Sequence, residues 1–218
     1  VSAAGLVPVK PGAAIGEKEA LRTAKGSSAV VRLPDGSLIE MNERAELSIS
    51  AAYTGSTIHL DRGNILVQAA KQKRGVLKVA TRDSVVNVKG TIFSVAAGLL
   101  GTQVAVVEGH VVVEQAGKTE DLRPGQVTGS ETGLKRTTVA DQIAWSKDQA
   151  RYMAMLGEFA EMRKQIAALP LPALRTQSAI FDAVPADTAL YAAIPNIAGT
   201  VADASKIFEE RLAKNPML

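Results

Sequence analysis

VVNVKGTIFSV, residues Val85–Val95, reads as a strand with Lys89 and Gly90 set in its middle. Successive side chains of a strand face opposite sides, so residues of one parity share a face. Val86 and Val88 are of one parity and Phe93 and Val95 of the other, so the apolar face changes sides near Gly90. A glycine inside such a run marks a bulge or bend, or a place where a ligand approaches the backbone. The bend is the reading that glycine punctuation favours, with Phe93 dropping into the core after it.

The same texture extends outward on both sides. Turn signals stand at PDGS (34–37), YTGS (53–56), DRGN (61–64), KRG (73–75), VEGH (107–110), QAGK (115–118) and RPGQ (123–126). Between them lie SLIEM, TIHL, ILVQ, VLKVA, QVAVV and HVVVEQ. Short strands between Gly, Asp and Pro turns predict an all-β sandwich, barrel or solenoid over residues 20–133, built from irregular stacked antiparallel strands. Residues 1–19 read as an extended N-terminal segment.

The pattern changes at Thr138. Trp145, Tyr152, Leu156, Phe159 and Ile166 recur at helical steps, which predicts one long amphipathic helix over 138–169. Thr138 with Asp141 forms an N-terminal capping signal, and Pro170 and Pro172 end the helix. Residues 170–218 then read as a Pro-rich loop and a strand-helix tail. Its strand is Ala189–Ile194, and its helix is capped by Thr200 and runs to about Lys214. Leu190, Tyr191 and Ile194 on the strand, with Ile207, Phe208 and Leu212 on the helix, form a candidate assembly or partner surface. A lone strand and helix bury each other poorly, so this strand is expected to add to the β domain, to pair with another chain, or to belong to a protein that continues.

Composition narrows the function classes. The 218 residues are 46% hydrophobic, which suits a folded core, and only 4% aromatic, which leaves few stacking platforms for single-stranded nucleic acid. A net charge of +3 is far from the basic face of a DNA binder, so no nucleic acid is expected. The absence of cysteine excludes disulfides, thiolate metal sites and cysteine nucleophiles. No stretch reaches the roughly 18 apolar residues of a membrane helix, and the opening VSAAGLVPVKPG lacks the apolar core of a leader peptide.

The order of motifs resembles the FecR domain. It runs DGSLIEMNERAEL (35–47), IHLDRGNILVQ (58–68), LKVATRDSVVNVKGTIFSV (77–95), VAVVEGHVVV (104–113) and LRPGQ (122–126). The resemblance covers about residues 20–126 and leaves the C-terminal half unmatched. It identifies Gly36, Gly63, Gly90, Thr91, Phe93, Gly109, Pro124 and Gly125 as a structural signature. It implies a mostly β, extracytoplasmic module of signalling proteins, periplasmic, surface-bound or secreted, that meets a protein partner. In the best-known members the signal comes from an outer-membrane transporter and acts on a sigma factor.

Chemistry is sparse. GAAIGEK (12–18) is one residue short of a phosphate loop and lacks the following Ser or Thr. His59 and His110 lie in separate strands, and a zinc site would need carboxylate ligands as well. Ser48, His59 and Asp61 supply the residue types of a hydrolytic triad without a motif that joins them. Asp35, Asp61, Glu108 and Asp121 flank turn glycines, where carboxylates stabilise turns through their own backbone. Lys71, Lys73 and Arg74, with Lys78 and Arg82, are a candidate contact for an anionic polymer such as polysaccharide, against the plainer reading of lysine-guarded strand edges. The expectation is therefore a non-enzymatic interaction or scaffold module without cofactor or metal. Its partner is a protein or a second copy, and the tail strand is able to build oligomers or filaments. The alternatives are an envelope sensor that contacts an outer-membrane or surface partner, and a polysaccharide-binding or hydrolytic envelope protein.

Overall fold

A computed structural model describes residues 7–53, 55–71, 75–131, 134, 137–170, 185 and 197–214. Lys73, Arg74 and the tail strand Ala189–Ile194 with Leu190, Tyr191 and Ile194 lie outside them. The chain divides into two units, residues 1–156 and 157–218.

The first unit holds twelve strands in sequence order: β1 (Leu21–Arg22), β2 (Ala29–Arg32), β3 (Leu38–Met41), β4 (Glu46–Ala52), β5 (Gly55–Gln68), β6 (Leu77–Ala80), β7 (Ser84–Val88), β8 (Ile92–Gly98), β9 (Gly101–Glu108), β10 (Val111–Gln115), β11 (Lys118–Leu122) and β12 (Val127–Gly129). They form two sheets that share β5. Its first half pairs with β4 and β6, in a sheet that continues through β7 and β10 to β11 and has β1 at its other end. Its second half pairs with β3 and β8, in a sheet ending in β2 and β12. All pairs are antiparallel except β5–β6, where the chain runs parallel. The antiparallel stacking expected from sequence is corrected at that one pair, because β6 lies beside residues 57–59 in the first half of β5 and runs in the same direction.

The opening stretch is two strands and not one bent strand. β7 belongs to the first sheet and β8 to the second, with Gly90 at φ 73 between them. Val86 and Val88 point inward from one sheet, Phe93 and Val95 inward from the other, and all four share one core. The parity change is thus the signature of a chain crossing from leaf to leaf. DRGN behaves in the opposite way: its composition predicts a turn, and it lies inside the 14-residue β5. Arg62 pairs with Glu46 in the first sheet and Gly63 with Ala97 in the second, so both neighbours hold the strand extended through the change of sheet. Gly63 makes that passage with φ 91 and packs on Ala45.

Burial explains the two kinds of strand composition. SVVNV of β7, VVVEQ of β10 and LKVA of β6 alternate, because the first sheet has one wet face. IFSV of β8 and VAVV of β9 are apolar throughout, because the second sheet is covered on both faces. Its outer cover is α1 (Val139–Ile143) and the first turns of α2 (Gln149–Ala167). Val139, Ile143, Tyr152 and Met155 pack there on Leu66, Ile92, Ala105 and Val107.

The single helix expected over 138–169 is broken between Ala144 and Asp148. Ser146 turns its hydroxyl to Glu40 of β3 at 2.7 Å and accepts from the Asp148 backbone at 3.2 Å. The Trp145 indole donates to the Gln142 carbonyl at 2.8 Å. Short polar side chains that compete for backbone groups favour such a break. Thr138 does cap α1, in a reciprocal box with Asp141.

In the second unit, α2 continues to Ala167 and α3 spans Ala198–Lys214. Arg211 meets Glu158 at 2.7 Å and Thr200 donates to the Pro170 carbonyl at 3.2 Å, so α3 runs antiparallel to this part of α2. Thr200 lies within the first turn of α3 and is not its cap.

Candidate interaction surfaces

Of the signature residues, Gly90, Thr91, Phe93 and Gly109 meet where the chain passes from β7 in the first sheet to β8 in the second. A Cβ on Gly90 would lie 2.9 Å from Lys71 Cγ, and one on Gly109 would lie 2.6 Å from Thr91 Cγ2. Two loops therefore pass at backbone distance, with Lys71 laid over the first. Thr91 is buried. Its carbonyl accepts from the Ala69 amide at 2.8 Å, and its Oγ1 has no hydrogen-bond partner among the described residues. Phe93 is fully buried beside this joint. Burial pushes the Glu108 carboxyl up, against the pull of Lys71 and Arg151. Gly36 lies in the β2–β3 turn, and Pro124 and Gly125 between β11 and β12, where the Gly125 amide donates to the Val106 carbonyl at 2.9 Å.

A second polar centre went unread in the sequence. Asp83, in the β6–β7 turn, accepts from Thr102 at 2.5 Å, Thr81 at 3.1 Å and Ser84 at 3.4 Å through Oδ1, and from Ser130 at 2.6 Å through Oδ2. The Ser130 hydroxyl in turn accepts from the Thr102 amide at 2.9 Å. One carboxylate thus ties a turn of the first sheet to β9 of the second and to the segment after β12. Partial burial alone would raise its pKa; the donors from Ser130, Thr102, Thr81 and Ser84 outweigh that and hold it below the ordinary carboxylate value. The run T-R-D-S at 81–84, two hydroxyls around one carboxylate, was the available signal.

A depressed folded pKa means that the unfolded chain takes up the proton more readily. The stabilisation is therefore complete above the unfolded value, near pH 4, and fades as pH falls through the folded one. Asp83→Ala should lower the unfolding free energy by about 2 kcal/mol at pH 7, the scale of hydrogen bonds to a charged group. The gap between variant and wild type should narrow toward pH 3. Urea titrations of both proteins at several pH values measure it.

The other sequence candidates are scattered. His59 Nε2 meets Ser50 Oγ at 2.9 Å on the exposed face of the first sheet. Ser48 lies opposite His59 in the ladder, and no hydrogen bond joins Asp61 to the ring among the described residues. His110 Nε2 meets Asp121 at 3.0 Å, also exposed. Asp35 serves its own turn, accepting from the Ser37 amide at 2.8 Å and the Ser37 hydroxyl at 2.9 Å. Among the described residues, no three His, Asp or Glu side chains converge as metal ligands. Of the basic group, Lys71 lies on the joint, Lys78 stands opposite Asn87 on the first sheet, and Arg82 donates to the Leu99 carbonyl at 3.1 Å.

The second unit keeps apolar surface open. Ile207 and Leu212 are half-buried along α3, while Val201 is 57% and Phe208 46% exposed, and Ile166 of α2 is 39% exposed. No described residue of α3 is fully buried. Two helices in contact cover one stripe each, and the flanking apolar residues remain for another surface.

Residues 19–112 match the family model described as FecR protein, so the chain carries a FecR-family segment from just before β1 to β10. The match ends before Pro124 and Gly125. Two crystal structures of a Parabacteroides distasonis ATCC 8503 protein, described as a candidate anti-sigma factor, share the fold. Each has a TM-score of 0.51 and 21% identity over 58% of this chain, and the match covers 63% of one and 64% of the other. The chain thus matches less than two thirds of that protein's length. No curated protein matches the sequence.

Proposed function

We propose, from the FecR-family segment that forms the β framework, that the chain is a non-catalytic extracytoplasmic interaction module of an envelope signalling system, which also associates with copies of itself. The family match over residues 19–112 carries the reading. The polar groups of the framework support it, since the joint at Gly90 and the Asp83 centre hold sheets together and leave the surface to do the contacting. In the second unit, Phe208 and Val201 stand exposed on a helix that has apolar residues to offer a protein. A sensor role toward an outer-membrane or surface partner fits the same module, and the neighbour described as a candidate anti-sigma factor favours it.

A photo-reactive amino acid in place of Phe208, in cells that export the chain, tests this reading. The expected result is a discrete protein adduct in the envelope fraction that contains a second copy or an envelope protein. Irradiation that leaves only the uncrosslinked chain would contradict it, as would recovery of the native chain in the cytoplasmic fraction.

A further inference from the structure

The two sheets have four ends, and they differ in how they are finished. β1 is two residues long, and its Arg22 is paired with Glu46 at 2.5 Å. β11 presents Lys118, Glu120 and Asp121, the charges that discourage strand pairing, and Glu120 accepts from Thr128 of β12 at 2.5 Å. β12 is three residues long, and Gln115 reaches across to donate to Thr128 Oγ1 at 3.0 Å and the Gly129 carbonyl at 3.3 Å. β2 carries a single charge, Arg32, and among the described residues no side-chain hydrogen bond or ion pair bridges to it.

Backbone geometry shows what β2 offers. The Leu33 amide donates to the Ser37 carbonyl at 2.9 Å, and in the same ladder Val31 stands opposite Ile39 and Ala29 opposite Met41. Hydrogen-bonded pairs alternate along an antiparallel ladder. The N–H and C=O groups of Val30 and Arg32 therefore point away from β3, and neither residue has a backbone hydrogen bond at that edge among the described residues. The Val30 side chain is 59% exposed, opposite Glu40, whose carboxylate is bonded to Ser146 beneath the helix cover. Inside the same edge, Val31 and Leu33 are core residues, so an added strand would meet apolar side chains on one face.

Resting on the self-association proposed above, we infer that this edge receives the segment Ala186–Ile194 of a second copy as an added strand. The segment ADTALYAAI is bounded by Pro185 and Pro195, which lack the N–H a ladder needs and so set its limits. Its nine residues span roughly 30 Å when extended, ample for the four residues of β2. Its charge complements the acceptor: the segment contains Asp187 and no Lys or Arg, whereas Arg32 on the edge and Lys25 just before it are both exposed. Affinity would come from main-chain hydrogen bonds, and register from Leu190 and Ile194, which share one parity and so one face. Because donor and acceptor are different surfaces, the contact is head-to-tail and propagates unless it closes into a ring.

The test uses the 218-residue chain and its variants. Val30→Pro deletes an outward donor and no internal bond; Val30→Thr keeps it as a control; the double variant Leu190→Lys, Ile194→Lys disables the donor. Light scattering after size exclusion should give a multiple of 22.8 kDa for the wild type and Val30→Thr, and 22.8 kDa for the other two. Mixed in equal amounts, those two should combine to twice 22.8 kDa, since one supplies the edge and the other the strand. Wild-type-like assembly of Val30→Pro would overturn the edge assignment while leaving self-association standing. Assembly of the double lysine variant, or a mixture that remains at 22.8 kDa, would overturn the donor-strand contact. A wild type that is itself monomeric would remove the self-association on which the inference rests.

Discussion

Gly63→Val should cost about 4 kcal/mol of folding stability, enough to leave a typical domain of this size mostly unfolded in mild urea. Two effects add. The backbone at Gly63 has φ 91, a region that β-branched residues scarcely enter. A Cβ there would also lie 2.7 Å from Ala45 Cβ and 3.0 Å from its amide nitrogen, and neither group can swing aside as a long side chain would. The position matters because β5 passes from one sheet to the other at this residue, so any local adjustment misaligns the ladder to β4 on one side or to β8 on the other. Equilibrium urea unfolding followed by circular dichroism measures the effect. A variant within about 1 kcal/mol of the wild type would mean that β5 does not cross between sheets as described.

Phe93→Ala should lose about 3 to 5 kcal/mol, the usual cost of removing a fully buried aromatic side chain together with the cavity left behind. Phe93 is completely buried, with its backbone opposite Val67 in one ladder and Val106 in the other. Phe93→Leu should recover most of the loss, because it restores apolar volume in the same slot. Thermal unfolding of the pair gives the comparison, and equal midpoints for Phe93→Ala and wild type would contradict the inward placement of this ring.

Most of the β framework was legible from spacing. The parity change around Gly90, the alternating VVVEQ and the order of the Gly turns led to stacked short strands, and the strands are there. What spacing could not show was which glycine ends a strand. VKG at 88–90 and DRG at 61–63 look alike as punctuation, yet one lies between strands and the other within one. Pairing partners decide that, and they are remote in sequence. The helix break at Ser146 depended on Glu40, more than a hundred positions away, for the same reason. The Asp83 centre gathers hydroxyls from residues 81, 84, 102 and 130, of which only the first two are neighbours in the chain. Interaction surfaces were the least legible. Exposure of Val30 is a property of packing, and hydrophobic pattern alone assigns that residue to a core.

The most direct measurement is the mass of the intact 218-residue chain in solution, by light scattering across a range of concentrations. An interaction module that associates with its own copies predicts species at multiples of 22.8 kDa that grow with concentration. A single species of 22.8 kDa at every concentration would contradict self-association.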